Sequence, residues 1–127
     1  MLKLLIVTTD RDKLFDFASA LLRHEDVELA WADSGRQALD MVSRMPVDLV
    51  VTDENLGDMT GLKLALRLLS INPMVNCSAI SSLSEEEFHE ASEGLGLLAH
   101  HPPQPKGEDA EGLLTRLREI KNLMKQV

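Results

Sequence analysis

Aromatic residues are scarce, 3% of the chain, with one Trp, three Phe and no Tyr. A core with so few rings must be built from Leu, Val, Ile, Ala and Met, which the 44% hydrophobic content supplies. Cysteine occurs once, at Cys77, so no internal disulfide can form, which suits a reducing compartment. Cys77 itself reads most simply as a small buried hydrophobe. Positive charge is short: 13 Lys and Arg stand against 21 Asp and Glu, a formal net charge of −8. That deficit argues against nucleic-acid binding by this chain, because phosphate contacts need a basic patch. A protein partner with basic residues, or a cation, is the easier expectation. No apolar run approaches the roughly 18 residues needed to span a bilayer. The opening MLKLLIVTTDRD is too short in its apolar part for a signal peptide and lacks a small-residue cleavage pattern. A cytoplasmic protein with no membrane contact is therefore expected. The turn TTDRD carries no glycine cluster through which backbone amides could approach a phosphate, which disfavours a nucleotide or flavin site. Nothing resembles a nucleophile elbow, so a Ser–His–Asp triad is unsupported.

What is present is an alternation of strand-length apolar runs with amphipathic helical segments, over 127 residues that suit one domain. Leu2 to Val7 reads as a first strand. DRDKLFDFASALLRHE follows as a helix with Leu14, Phe17, Ala18, Leu21 and Leu22 at helical spacing, capped by Asp10 or Asp12. Asp26 to Ala32 is a second strand, and DSGRQALDMVSRM a helix capped by Ser34 with Ala38, Leu39 and Val42 inward. VDLVV, with Val47, Leu49, Val50 and Val51, is a third strand buried on both faces, ending at Asp53. Gly61 to Ile71 is the third helix. MVNCSAISS is a fourth strand weakened by Asn76 and Ser78, and SEEEFHEASEG a helix capped by Ser84 with Gly94 past its end. LGLLA reads as a fifth strand, HHPPQPKG as a loop, and EDAEGLLTRLREIKNLMKQV as a last helix. That helix turns Leu113, Leu114, Leu117, Ile120 and Met124 to one face. Repeated strand–helix units imply right-handed crossovers and a parallel sheet covered on both faces. Ligand sites in such sheets form at the carboxyl ends of the strands.

Asp53 falls on that edge. Taken alone it reads as a turn former within DENLGD. Gly61, Ser81 and the dipeptide before Pro102 would converge on the same edge, and a carboxylate beside a hydroxyl suits phosphoryl chemistry. From Leu2 through the last helix, the chain resembles a response-regulator receiver domain. PVDLVVTDENLGDMTGLKL carries the likeness, with Asp53 in the phosphoacceptor place and Gly61 at the helix entry; DSGRQALDMV resembles the second helix entry. The resemblance implies a flavodoxin-like three-layer α/β sandwich, with a five-stranded parallel sheet of order 2-1-3-4-5 and five helices. It implies no enzyme beyond self-phosphorylation and self-dephosphorylation of Asp53. It places Ser81 and His101 as phosphate-binding and switch residues, Pro102 after a cis peptide bond, and Leu98 at the position of a switch aromatic. Partners implied are a histidine kinase or phosphotransfer protein and a downstream protein, with a homodimer through helix 4, strand 5 and helix 5 also allowed.

Departures from the family pattern bear on the metal. Thr8 and Thr9 stand where the family has two acids that hold Mg²⁺, leaving Asp10, Asp53 and Asn55 as the candidate ligands. Neutral hydroxyls are poor ligands for a hard dication, so Mg²⁺ binding is expected to be weak. His101 stands in the place of a phosphate-binding Lys and is shorter and mostly neutral at pH 7. Two functions follow: a receiver phosphorylated slowly on Asp53 with impaired Mg²⁺ dependence, or a phosphorylation-independent interaction module. Adjacent residues on a strand point opposite ways, so His100 and His101 are not expected to share a metal. His24 and His89 read as surface residues, and the Glu85, Glu86, Glu87, Glu90, Glu93 run as a solvated helix face or a docking surface.

Overall fold

The computed structural model describes residues 1–125, with side chains through Leu123. Five strands, β1 (Leu2–Val7), β2 (Val27–Ala32), β3 (Leu49–Thr52), β4 (Asn76–Ile80) and β5 (His100–His101), form one parallel sheet of order β2-β1-β3-β4-β5. Five α-helices alternate with them: α1 (Phe15–Leu22), α2 (Gly35–Arg44), α3 (Gly61–Ile71), α4 (Glu85–Ala91) and α5 (Gly107–Lys125). The parallel sheet with helices on both faces is what the alternation predicts, and its order is the flavodoxin-like one implied by the receiver resemblance.

Side chains alternate across the sheet, and the two faces have separate cores. Leu4 and Ile6 of β1 with Leu49 and Val51 of β3 face α1 and α5, where Phe17, Leu21, Leu113 and Leu117 meet them. Leu5, Val7 and Val50 face the other way, onto Ala38 and Val42 of α2 and Leu64 and Leu68 of α3. All of β3 is buried, as strands covered on both faces must be. Met124 lies outside the residues whose side chains are described.

Local side-chain signals account for the starts of three helices, α2, α3 and α4. Ser34 Oγ accepts from Gln37 N at 3.0 Å, and Thr60 Oγ1 from Lys63 N at 3.2 Å. Ser84 and Glu87 form a reciprocal capping box at α4. Asp58 reaches from the β3–α3 loop to accept from Gly35 N and Arg36 N, both at 3.0 Å. These bonds pull its carboxyl below the usual carboxylate range.

Three sequence expectations are corrected. Neither Asp10 nor Asp12 caps the first helix through its side chain. A short 3-10 turn, Asp12–Leu14, starts it instead, with Leu14 N donating to Arg11 O at 3.1 Å. The fifth strand is not LGLLA but His100–His101. Gly94 and Gly96 both hold positive φ and spend that segment on a turn, and backbone pairing with β4 begins only where Leu98 N donates to Cys77 O. The His101–Pro102 peptide bond is trans, not cis. His101 O already accepts from Ser81 N at 3.0 Å, and the trans isomer is the lower by about 0.5–1 kcal/mol.

Candidate functional site

Strand parity brings Thr8 and Asp53 together. Val7 pairs with Thr52 across β1 and β3, and the next residue of each strand turns to the α1 side as Ile6 and Val51 do. Asp53 N donates to Val7 O at 2.9 Å, which fixes the register beyond the strand end. Thr8 Oγ1 then donates to Asp53 Oδ2 at 2.7 Å, and Glu54 N to Asp53 Oδ1 at 2.7 Å. Asp53 is 2% exposed and Thr8 fully buried. A buried carboxylate needs donors and a counter-charge. The counter-charge is Lys13, whose Nζ lies 2.9 Å from Asp53 Oδ2.

Lys13 was not singled out in the sequence, although a signal exists. It stands four residues before Phe17, in the short turn whose Leu14 leads into the inward stripe of Phe17 and Leu21 on α1. The 3-10 turn, anchored by fully buried Leu14, aims it back at the sheet edge.

Above Asp53 opens a depression of about 400 Å³ lined by Thr9, Asp10, Lys13, Asp53, Glu54, Asn55 and Gly57. The candidate metal ligands Asp10, Asp53 and Asn55 therefore share one pocket. A second cleft of similar size lies at the opposite, amino-terminal end of the strands. Its lining of Leu22, Leu29, Met45, Pro46 and neighbours is mainly hydrocarbon, with Lys3 and Glu28 the charged members. The polar and charged groups gather at the Asp53 edge.

Ser81 and His101 are placed elsewhere than on Asp53. Ser81 Oγ donates to Glu54 Oε1 at 3.4 Å, and the same oxygen accepts from Ser82 N at 3.1 Å and Ser82 Oγ at 2.8 Å. Glu54, unremarked in the sequence, thus clamps the β4–α4 loop. His101, 4% exposed, faces α1: its Nε2 is 3.2 Å from Ser78 Oγ, and its ring meets Phe17 edge-on at 5.3 Å. Burial pushes its pKa down to about 4, so near neutral pH it offers no positive charge. Strand alternation aims His101 into the core, and it does not line the depression above Asp53. His100 points the opposite way, as expected. Its ring stacks on Phe88 of α4 at 3.9 Å, and its Nε2 lies 3.2 Å from Ser81 O. Leu98 is buried in the α1–α5 core. Cys77 is buried, its thiol pushed up to about 12, and is inert as a nucleophile near neutral pH.

A buried acid at the carboxyl end of β3, beside the end of β1 in a 2-1-3-4-5 sheet, sits at the topological switch point. The sequence pattern of the response regulator receiver domain matches residues 4–100. The chain belongs to the response regulator receiver family. Over 68 residues, 54% of this chain, it is 34% identical to the transcriptional regulatory protein ZraR of Escherichia coli (strain K12). That segment is only 15% of ZraR, so the chain spans a small part of this curated relative. The fold matches the signal receiver domain of an HD domain-containing protein from Pseudomonas fluorescens Pf-5, with TM-score 0.84 and 17% identity, covering 98% of this chain and 92% of that one. It also matches the chemotaxis response regulator CheY4 of Vibrio cholerae, with TM-score 0.79 and 19% identity over 92% and 98% of the two chains.

Receiver domains are signalling modules of two-component systems, generally not enzymes, that interact with histidine kinases and downstream effectors. They typically bind Mg²⁺ in an acidic pocket. The residues of this receiver do not fit that ion. Magnesium demands near-octahedral oxygen coordination at about 2.0–2.1 Å. Here Asp53 Oδ2 is engaged by Lys13 and by the Thr8 hydroxyl proton, and Asn55 Oδ1 accepts from Gly57 N at 3.0 Å. Among the described residues, no three His, Cys, Asp or Glu side chains are grouped to hold a metal.

Proposed function

We propose that this receiver accepts phosphate on Asp53, slowly and with little dependence on Mg²⁺, from a histidine kinase or phosphotransfer protein. One observation carries the reading: Asp53 stands at the carboxyl end of β3, buried yet lining an open polar depression, with its charge already balanced by Lys13. A phosphoryl group there would add about −1.5 to −2 charges near pH 7. Glu54, next in the chain and tied to Ser81 and Ser82, is the group those charges would repel first. Ser81 carries the disturbance on through its carbonyl to His100 and so to α4. The downstream partner would read the cleft between α4, β5 and α5, about 540 Å³, lined by Phe88, His89, Glu93, His100 and Arg116 among others. The same surface would serve a homodimer. We take residues 1–127 as one receiver unit acting in the cytoplasm.

Incubation with acetyl phosphate, with and without Mg²⁺, followed by intact-mass measurement and peptide mapping, tests the reading. Partial modification confined to Asp53 is expected; rapid, stoichiometric, Mg²⁺-dependent modification would overturn it. A phosphorylation-independent interaction module is the second reading, favoured by the same internal satisfaction of Asp53. No modification, together with unchanged partner binding by Asp53→Ala, would decide for it.

A further inference from the structure

We infer that Lys13 is a built-in counter-cation: its ammonium takes the place beside Asp53 that a divalent ion would need, so it excludes that ion and makes phosphoryl transfer to Asp53 metal-independent. The first half stands on geometry alone. The second half rests on the reading of Asp53 as phosphoacceptor.

Lys13 Nζ is 2.9 Å from Asp53 Oδ2, within charge-assisted hydrogen-bond distance. A dication on that oxygen, at about 2.1 Å, would sit within about 5 Å of the ammonium and be repelled by it. Asp10 and Glu54 also line the depression, but Glu54 is turned to Ser81 and Ser82, and among the described residues the ion pair of Lys13 is with Asp53. The pocket's remaining hydroxyls are neutral, Thr8 spending its proton on Asp53. The lysine is held in place: Leu14, next to it, and Phe17, one turn on, are fully buried, while its own side chain is 30% exposed. One positive charge is thus fixed at the spot where an incoming phosphoryl oxygen needs neutralising.

The step itself balances without a metal. A carboxylate oxygen of Asp53 attacks the phosphorus of an acyl phosphate, the new P–O bond forms, and the bond to the acyl oxygen breaks. The carboxylate leaves with the electron pair, and no proton moves. Lys13 remains beside the phosphoryl oxygens throughout.

Two measurements on the full chain test the inference. In the first, Mn²⁺ is titrated into the wild type, Thr9→Asp, and Thr9→Asp with Lys13→Ala, following free Mn²⁺ by electron paramagnetic resonance. The wild type should show no saturable binding up to millimolar Mn²⁺. The double variant should bind at least tenfold more tightly than Thr9→Asp alone. Tight wild-type binding, or equal affinity of the single and double variants, would overturn the exclusion. In the second, acetyl phosphate labelling is compared in EDTA and in Mg²⁺. The wild type should label equally in both, Lys13→Ala should slow about tenfold in EDTA, and Lys13→Arg should retain the rate. A wild type that labels only with Mg²⁺, or an unaffected Lys13→Ala, would overturn the metal-independent step. No labelling in either buffer would overturn the phosphoacceptor reading and that step together, and the manganese titration would then decide the exclusion by itself. Circular dichroism confirms that each variant is folded, and Lys13→Arg separates loss of charge from loss of structure.

Discussion

Replacing Lys13 by Met keeps most of its hydrocarbon and deletes the charge at the centre of the site. Asp53, 2% exposed, is then left with two neutral donors, the Thr8 hydroxyl and Glu54 N–H. At 2.9 Å and an effective dielectric near 20, the gross attraction being removed is about 6 kcal/mol, much of it offset by desolvation of the two groups. Breaking a fully buried pair costs about 3–5 kcal/mol, and an exposed one about 0–1 kcal/mol. Lys13 is 30% exposed and Asp53 is not, so a loss of about 2 kcal/mol is expected. In an Asp53→Asn background there is no anion to strand, and the same change should cost only about 0.5 kcal/mol. The double-mutant cycle therefore predicts a coupling of about 1.5 kcal/mol. Urea unfolding followed by far-ultraviolet circular dichroism reads it as a midpoint difference of about 1 M. A coupling below about 0.5 kcal/mol would show that Thr8 and the Glu54 amide hold the carboxylate without the ammonium. A coupling abolished by high salt would show that solvent, not the fold, screens the pair.

Three further outcomes follow from the same geometry. His101 is near 6.5 when unfolded but about 4 when folded, so the unfolded chain binds more protons between those values, and stability rises with pH across that window and is lost on acidification through it. The full penalty is about 3 kcal/mol; His101→Leu should flatten this limb in urea midpoints taken from pH 7 to 4.5, and an unchanged slope would sink the claim. Gly61→Ala would place a Cβ 2.2 Å from Asp53 O and 3.0 Å from Thr52 Oγ1, so a loss of about 3 kcal/mol is expected in thermal unfolding. An unaltered midpoint would mean that the β3–α3 junction yields freely. Glu54→Ala removes the acceptor of Ser82 N, so exchange of that amide should quicken roughly tenfold by nuclear magnetic resonance, while amides of β1 stay unchanged. Equal exchange would show that the β4–α4 loop holds without its clamp.

The parallel sheet was readable because β1 and β3 are near-continuous aliphatic runs and α1, α2, α3 and α5 carry apolar stripes, while the strand order came only with the receiver resemblance. Capping side chains at Ser34 and Ser84 marked helix starts to the residue. The fifth strand was not readable, because its two residues are histidines and the aliphatic stretch just before them is bent by Gly94 and Gly96. Hydrophobicity pointed to LGLLA; backbone conformation decided for His100–His101.

The site divides along the same line. Asp53 was legible as an acid following a buried strand, and the loss of the acidic pair was legible as Thr8 and Thr9. What replaced that pair was not, because the inward spacing of Lys13 with Phe17 marks which way it faces but not which acid, forty residues on, it meets. Only the register of β1 against β3, with the 3-10 turn that swings Lys13 over the sheet edge, makes them neighbours. The placement of His101 has the same origin. Its place in the order of motifs suggested phosphate, whereas parity shared with Ile80, its partner on β4, sends it towards Phe17 and the α1–α5 core. An imidazole buried there is neutral near neutral pH, and among the described residues the cation on Asp53 comes from the opposite end of the chain's order, before α1 rather than after β5. The balance of charge at this sheet edge therefore depends on which face each side chain takes, and a change that shifted β1 by one residue against β3 would separate Thr8 from Asp53 however well the motif were kept.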